Sequence, residues 1–285
     1  MKQKLKQLTQ NEIVHCQKRG YFDEHLATLY SVAYGEPYIY KNKYLLYHDP
    51  MSRTVWLTLF GLDNEKDTSV DATECFEASV KAFQPNKVIT TSPTRLPSNL
   101  ADFHCETVYE DKDYQINLQQ FDEKLNGGSY KHLRYRVNNA EKLGYTLAVG
   151  KELTVAHSHI IALHLTKKSY APWDYQLYLR LGEYLKRFSS PKLFNVFSSD
   201  MLIGFDVVDF LANTMAAPLG FYHDYPSLAD FLLYQEILHG KRQGFEWFDI
   251  GWACNNPGLE AFKQKWKAIS RFSVCMQEYQ KINEN

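Results

Sequence analysis

A polar and aromatic run, YHDYP, lies where a predicted strand meets a predicted helix. Loops at such junctions often carry functional side chains. His223 is a candidate general base, because imidazole titrates near neutral pH, and Asp224 could anchor an amine. Tyr222 and Tyr225 flank these two residues. The alternative interpretation is structural: the run only caps the next helix and turns the chain.

Acyl transfer to an amine is the reaction that these residue types suit. It requires a neutral nucleophile, a positioned carbonyl and a route for the released proton. An activated ester already has a good leaving group, so orientation supplies much of the rate. Asp230, in the helix predicted after the junction, is a second candidate to anchor the amine.

A strand, a glycine-bearing loop and a helix follow one another in GFEWFDIGWACNNPGLEAFKQKW, residues 244–266. Gly251 is expected to end the strand, and Asp249 beside it could orient an amine or tie down the loop. Asn256 can cap the helix with Pro257 at its first position. The free backbone N–H groups of that helix end are then expected to face an anion.

A basic cluster, made of Lys131, Arg134 and Arg136, lies near the start of another predicted helix. The planar guanidinium of arginine binds phosphate through two parallel hydrogen bonds. Positive charge in a first helical turn opposes the helix dipole. This placement favours a phosphate-binding role for at least one of the three.

Other reactive residue types have weaker patterns. Asp206 and Asp209 are three residues apart in a predicted strand, so they are expected on opposite faces and not as a carboxylate pair. Cys254 could be a nucleophile, but without a partner at recognisable spacing a buried thiol is favoured. His157 and His159 point in different directions on a helix, so no metal site is expected.

The elements that must position these residues follow a mixed α/β plan, in which hairpins exclude a purely parallel sheet. Helical patterns cover 9–30 with a break at Gly20, 71–83, 129–143, 154–168, 174–188 and 227–243. Strand patterns cover 37–48, 54–60, 87–91, 113–118, 146–149, 193–198, 201–210, 213–221, 245–250 and 270–279. Gly127-Gly128 is the best linker signal, which predicts two domains, 1–126 and 127–285.

Composition excludes several classes of protein. The chain has 285 residues, a net charge of −1 and 45% hydrophobic residues, which argues against disorder and against a broadly cationic nucleic-acid binder. Five widely spaced cysteines predict neither a disulfide framework nor a zinc site, and fit a reducing cytoplasm. No signal peptide or long apolar run is recognised, so a soluble cytoplasmic protein is expected.

Four segments together resemble the Fem-type aminoacyl transferases and the C-terminal domain of phosphatidylglycerol lysyltransferases. They are DKDYQINLQQF at 111–121, SYKHLRYRVNNAEKLGY at 129–145, GFYHDYPSLADFLLYQEILHGKRQGFEWFDIGWA at 220–253 and GLEAFKQKWKA at 258–268. The resemblance implies a tandem of two GNAT-like domains, each a mixed, mostly antiparallel sheet flanked by helices. It also implies aminoacyl transfer from charged tRNA to an amine or hydroxyl, without a metal or bound cofactor.

The same resemblance places Phe262 and Lys263 where the family's Phe-Lys pair contacts the tRNA 3′ end or an acceptor phosphate. An ammonium there would stabilise negative charge, and Lys265 is the neighbouring competitor for this role. The alternative for Lys263 is a solvated helix lysine.

One departure concerns coenzyme A. Acetyl-CoA-dependent GNAT proteins usually carry a Gly-rich loop that begins with a basic residue and cradles the pyrophosphate. KRQGFE at 241–246 and YLRLGEYL at 178–185 both lack its second glycine. The sequence therefore favours aminoacyl-tRNA as donor and a small molecule, peptide or lipid as acceptor. An acyl-CoA-dependent N-acyltransferase and a non-catalytic ligand-binding module are the alternatives.

Overall fold

The computed structural model describes residues 5–17, 28–61, 69–167 and 172–282. The strands are β1 (Leu5–Gln7), β2 (Glu36–Tyr40), β3 (Tyr44–Asp49), β4 (Thr54–Thr58), β5 (Lys87–Ser92), β6 (Asn99–Leu100), β7 (Phe103–Asn117), β8 (Tyr145–Gly150), β9 (Lys192–Ser198), β10 (Met201–Phe210), β11 (Thr214–Tyr222), β12 (Trp247–Trp252) and β13 (Ile269–Lys281). The helices are α1 (Gln10–Gln17), α2 (Thr28–Ala33), α3 (Ser69–Phe83), α4 (Lys131–Lys142), α5 (Val155–Lys167), α6 (Pro172–Arg187), α7 (Leu228–Gln243) and α8 (Pro257–Lys265).

The strands form one 13-stranded sheet in the order β1-β2-β3-β4-β5-β13-β7-β12-β11-β10-β9-β8, with β6 beside β7. Two neighbouring pairs in this order are parallel, β4 with β5 and β11 with β12. Each is joined by one crossover helix, α3 in the first half and α7 in the second. A parallel pair needs such a crossover, whereas the antiparallel pairs need only turns.

Two long strands, β7 and β13, join the two halves of the sheet. β13 pairs with β7 along its length and with β5 through its last residues. Residues beyond the expected boundary at 126 therefore complete the sheet of the first half. The division into 1–126 and 127–285 stays a prediction, and the sheet is continuous across it.

Three apolar cores pack against the sheet. One lies under α3 in the first half and includes Phe76. A second lies beneath α4, α7 and α8 and is centred on Trp266. The third combines α1, α2, α5 and α6, with residues such as Ile13 and Leu181, so it draws on both halves.

Most predicted elements are present within a few residues of their expected ends, because their hydrophobic periods match their burial. Three differ. The helical region at 9–30, with its expected break at Gly20, corresponds to α1 and to α2, which extends to Ala33, and residues 18–27 lie outside the described residues. The strand at 113–118 is the end of the much longer β7. Gly251 does not end its strand but lies inside β12 with a left-handed φ of 73°.

No helix among the described residues combines the length and apolar character that a membrane span requires.

Candidate functional site

The parallel strands β11 and β12 separate after a short paired stretch. Only three residue pairs join them, the last being Ala216 with Asp249. Past these residues the strands diverge around a cavity of about 710 Å³, which α7 and α8 line from one side. His164 of α5 and Tyr178 of α6 reach its wall as well. Crevices between parallel strands are frequent ligand sites in α/β proteins.

The cavity wall is largely apolar. Its apolar lining includes Ala217, Pro218, Leu219, Ala229, Leu233, Ile250, Leu259 and Phe262. Against this background three polar side chains converge at one end: Asp206 of β10, Tyr222 of β11 and Glu236 of α7. A polar group is costly to bury in such surroundings unless it is hydrogen-bonded.

Tyr222 and Asp206 form the ordered part of this polar group. The Tyr222 hydroxyl donates a 2.5 Å hydrogen bond to Oδ1 of Asp206. Gly220 is the partner of Asp206 across the two strands, and it lies two residues before Tyr222. A Cβ at position 220 would overlap both the Asp206 carboxylate and the Tyr222 hydroxyl. Glycine is therefore required there for the bond to form.

Glu236 completes the group from α7. Its side chain is fully buried, and the polar group that it faces is the carboxyl of Asp206. Burial raises the pKa of Glu236 well above its usual value, and the Asp206 charge raises it further. Burial also raises the pKa of Asp206 to about 7, against the lowering effect of the Tyr222 hydrogen bond. Two such carboxyls hold a proton near neutral pH.

A bulge in β12 shapes the rim of the cavity. The N–H of Gly251 donates to Oδ1 of Asp249 at 2.8 Å, and its carbonyl accepts from the Lys263 ammonium at 2.8 Å. Lys263 also donates to the carbonyl of Ile250. The Gly251 peptide is thus clamped on both sides. Lys263 is a buried residue that lines the cavity, which contradicts a solvated lysine.

The predicted cap of α8 is confirmed, but the anion site expected from it is wrong. The Asn256 side chain accepts hydrogen bonds from the N–H groups of Gly258 and Leu259. The N–H of Glu260 donates to the Asn256 carbonyl. These donors are occupied within the helix end, so they do not face a ligand.

Asp230 and Lys265 have structural partners away from the cavity. Lys265 forms a 2.6 Å ion pair with Asp230, and the Trp266 indole donates to the same carboxyl oxygen at 3.0 Å. Neither Asp230 nor Lys265 lines the cavity. Together they fasten the first turn of α7 to the end of α8.

The YHDYP run contributes one side chain to the cavity wall. Tyr222 lies in the cavity wall, whereas His223, Asp224 and Tyr225 do not line it. His223 is half-buried, and its backbone N–H donates to the carbonyl of Ile203. His223 and Asp224, the base and the amine anchor expected from this run, therefore lie outside the cavity wall.

The basic cluster of α4 also lies apart from the cavity, whose wall contains none of its residues. Arg134 donates to the carbonyls of Leu125 and Gly127, which ties down the preceding loop. Lys131 is exposed and Arg136 is half-buried. Phosphate binding by this cluster stays a prediction, with Arg134 already occupied by the loop.

Sequence reasoning missed the acid pair. Asp206 was considered only with Asp209, yet the carboxyl that faces it belongs to Glu236. One signal was present: Glu236 follows Leu232 and Leu233 at helical spacing, so it falls on the buried stripe of α7. The expectation of a buried Cys254 was wrong as well, since this cysteine is exposed on the cavity rim.

Comparison with solved structures identifies the fold. The C-terminal domain of a putative lysylphosphatidylglycerol synthetase from Agrobacterium fabrum superposes with a TM-score of 0.62 at 14% identity, over 97% of this chain and 93% of that one. FemX gives 0.60 at 11% identity, over 98% and 97%. A tandem GNAT protein from the clavulanic acid biosynthesis pathway gives 0.58 at 11% identity, over 99% of each chain.

No family model matches the sequence, and no curated protein matches it significantly. At the identities of the structural matches, the likeness establishes the fold. The protein has the tandem GNAT-like fold that its sequence resemblance predicted.

Proposed function

We propose that the protein is an acyltransferase that moves an aminoacyl group from aminoacyl-tRNA to an amine or hydroxyl of a small molecule, peptide or lipid. The observation that carries this proposal is the cavity between the diverging strands β11 and β12, with two buried carboxyls at one end. A largely apolar cavity with a few convergent polar groups of raised pKa has the properties of an active site.

The acid pair suits the proton transfer that the reaction needs. For an amine acceptor, the nitrogen lone pair forms the new C–N bond while the ester C–O bond breaks. The acceptor nitrogen releases a proton, and the leaving ribose hydroxyl of the donor takes one up. A carboxyl pair that titrates near neutral pH can accept the first proton and return it to the leaving oxygen. Asp206 and Glu236 therefore take the role that the sequence suggested for His223 and Asp224.

In this scheme Lys263 is a positioning residue. Its ammonium holds the carbonyls of Ile250 and Gly251 at the rim, next to Phe262 in the wall. Rigid placement of the rim fixes where an acyl group can lie against the acid pair.

The helix end that follows β11 supports tRNA over coenzyme A as the donor. A pyrophosphate is usually bound by free N–H groups at a helix N-terminus. Here Pro226 has no N–H, the N–H of Leu228 donates to the carbonyl of Tyr225, and Asp230 brings negative charge into the first turn. An aminoacyl-tRNA donor carries no pyrophosphate, so it does not need an anion site at this helix end. The exposed Lys131 is then a candidate contact for tRNA phosphates.

The test is to measure which donor the purified protein consumes. Mixed radiolabelled aminoacyl-tRNA and a panel of acyl-CoA thioesters are each incubated with a panel of amines. We expect accelerated loss of label from tRNA, formation of an amide, and strong reduction of both in Glu236→Gln. The matched control is Glu183→Gln, an exposed carboxylate on α6.

Release of CoA thiol with tRNA absent would replace this proposal by the acyl-CoA alternative. No turnover with either donor would favour a non-catalytic binding module.

A further inference from the structure

We infer that the cavity binds one substrate through a primary ammonium held by Asp206 and Glu236, on an apolar stem and without a free carboxylate beside the nitrogen. This inference rests on the proposed function and names the chemical class that its site accepts. It concerns binding, so it is tested without a donor or a transfer reaction.

The surroundings of Glu236 favour a cationic ligand. Both of its oxygens are buried, the polar side chain that it faces is the carboxyl of Asp206, and this pair lines a cavity large enough for a ligand. Two carboxyls that share one proton still leave buried acceptor positions unfilled, and burying such positions is unfavourable. A cation that enters the cavity supplies the missing donors, and an ammonium supplies up to three.

The placement of the two carboxyls also suits an ammonium. An ammonium needs acceptors in more than one direction, and Asp206 and Glu236 approach from a strand and from a helix. The Tyr222 hydroxyl is committed to Oδ1 of Asp206, which holds that carboxyl in one orientation. The site therefore presents two fixed acid groups to a single small cation. A planar guanidinium would need a matched, coplanar pair of oxygens.

The basic side chains of the cavity wall bear on whether a ligand can carry a carboxylate. Lys263 and His164 are the basic side chains of the described lining. The Lys263 ammonium donates to two backbone carbonyls, and the His164 ring packs against Phe221 at 5.2 Å. A ligand carboxylate beside the nitrogen would meet the acid pair without a matched cation. The repulsion of like charges in a buried site therefore disfavours free zwitterionic amino acids.

Two substrates meet this description. One is an amine acceptor, in which nitrogen is carried on an alkyl or aralkyl stem. The other is the aminoacyl head of the donor, in which the carboxyl is esterified. The two sources are distinguished by probes, with 2-phenylethylamine standing for the acceptor and leucinamide for the aminoacyl head.

The experiment is calorimetric titration of the full chain with these probes, alongside leucine and 2-phenylethanol. We expect one or both ammonium probes to bind, and leucine and the alcohol to bind at least roughly tenfold more weakly, which reflects one lost charge-assisted interaction. Equal binding of leucine and leucinamide would overturn the carboxylate exclusion. Binding of the alcohol as tightly as of the amine, or no binding of either amine, would overturn the ammonium site.

Variants locate the site. Glu236→Gln and Asp206→Asn should each weaken binding of the ammonium probe by roughly ten- to a hundredfold. The matched controls Glu183→Gln and Asp200→Asn remove exposed carboxylates and should leave affinity unchanged. Thermal unfolding of each variant verifies the fold. Unchanged affinity in both site variants would overturn the assignment.

The experiments test the transferase proposal and the ammonium site independently. Probe binding that depends on Glu236, with no transfer from any donor, leaves the ammonium site in place and removes the transferase proposal. Transfer activity with no ammonium binding does the reverse.

Discussion

The two parallel strand pairs of the sheet differ in how far they stay together. In the first half, β4 and β5 pair over five residues, and the N–H of Leu59 extends the contact to the carbonyl of Thr91 at 2.7 Å. In the second half, β11 and β12 pair over three residues and then diverge. The same strand-helix-strand arrangement is closed in one place and open in the other.

The crossover helices match this difference. Where α3 meets the sheet it places Cys75 and Phe76 in an apolar core, and the buried Ser79 hydroxyl donates within the helix to the carbonyl of Cys75. Where α7 meets the sheet it places Glu236 at the cavity. The crossover helix of the first half therefore fills its place with apolar side chains, whereas that of the second half puts a buried acid beside an open cavity.

The largest expected effect is on the closed half. Phe76→Ala should lower the free energy of unfolding by about 3 to 5 kcal/mol, because the ring packs against Phe103 and Tyr279 and its removal leaves a void. Chemical denaturation measures the change, and Val70→Ala on the exposed face of the same helix is the control. Affinity for an ammonium probe should not change. A Phe76→Ala protein that stays folded but loses this affinity would show that the cavity depends on the core of the first half.

The pH dependence of stability should differ between wild type and Asp206→Asn. The folded-state pKa of Asp206 is raised to about 7 from 3.8, so the folded protein binds more protons than the unfolded chain between these values. Its contribution to stability therefore falls as pH rises through this window and is constant above it. The stability of Asp206→Asn relative to wild type should therefore increase from pH 5 to pH 8.

Urea denaturation at a series of pH values measures this difference. Histidines with lowered pKa, such as His157, affect both proteins alike and cancel. A difference that stays flat across the range would mean that Asp206 is ionised throughout, as at an ordinary surface site.

Replacing the buried acid of α7 should stabilise the open half. Glu236→Leu is expected to raise the free energy of unfolding by about 2 kcal/mol at pH 7.5, because a buried carboxyl that faces a second carboxyl gives way to apolar contacts. The same variant should lose ammonium binding. If Glu236→Leu is instead less stable than wild type, the acid pair supports the fold and the contrast between the halves disappears.

The clamp on Gly251 should have a smaller effect. Lys263→Met removes the two hydrogen bonds to the β12 bulge and should lower stability by about 1 to 2 kcal/mol. Because the bulge forms the cavity rim, transfer activity should fall more than probe affinity. Lys267→Met, an exposed lysine just after α8, serves as the matched control. Equal activity in the two variants would argue against a role for the rim.

The smallest effect is expected at the ion pair outside the cavity. Lys265→Met should lower stability by about 0.5 to 1 kcal/mol, because Lys265 is partly exposed and Asp230 keeps the Trp266 hydrogen bond. Activity and probe affinity should remain those of wild type. Loss of activity would return Lys265 to the list of substrate contacts that the sequence suggested.

Local patterns predicted most of the elements and not the site. β10 was expected at 201–210 and lies there, because a run of buried residues between turns has few other solutions. The acid pair depends on Asp206 and Glu236, which come from a strand and a helix 30 residues apart. Nothing local requires that they meet. Glu236 on an apolar stripe was the one available indication.

The α8 end shows a different failure. A helix N-terminus with Asn256 and Pro257 was correctly predicted, yet the inference to an anion site was wrong. The same side chain that starts the helix also occupies its free donors. The capping residue and the expected ligand compete for the same N–H groups, so a strong cap is evidence against a site.

The central place of β13 bears on how the chain reaches its native state during synthesis. Ser92 and Cys275 are 183 positions apart, yet they are partners in the sheet. Until the residues of β13 leave the ribosome, β5 and β7 each have an unpaired inner edge, which is the kind of surface that associates with other chains. The first half therefore cannot finish folding as it emerges. Contacts of this range slow folding, and a chaperone that shields strand edges should improve the yield of native protein.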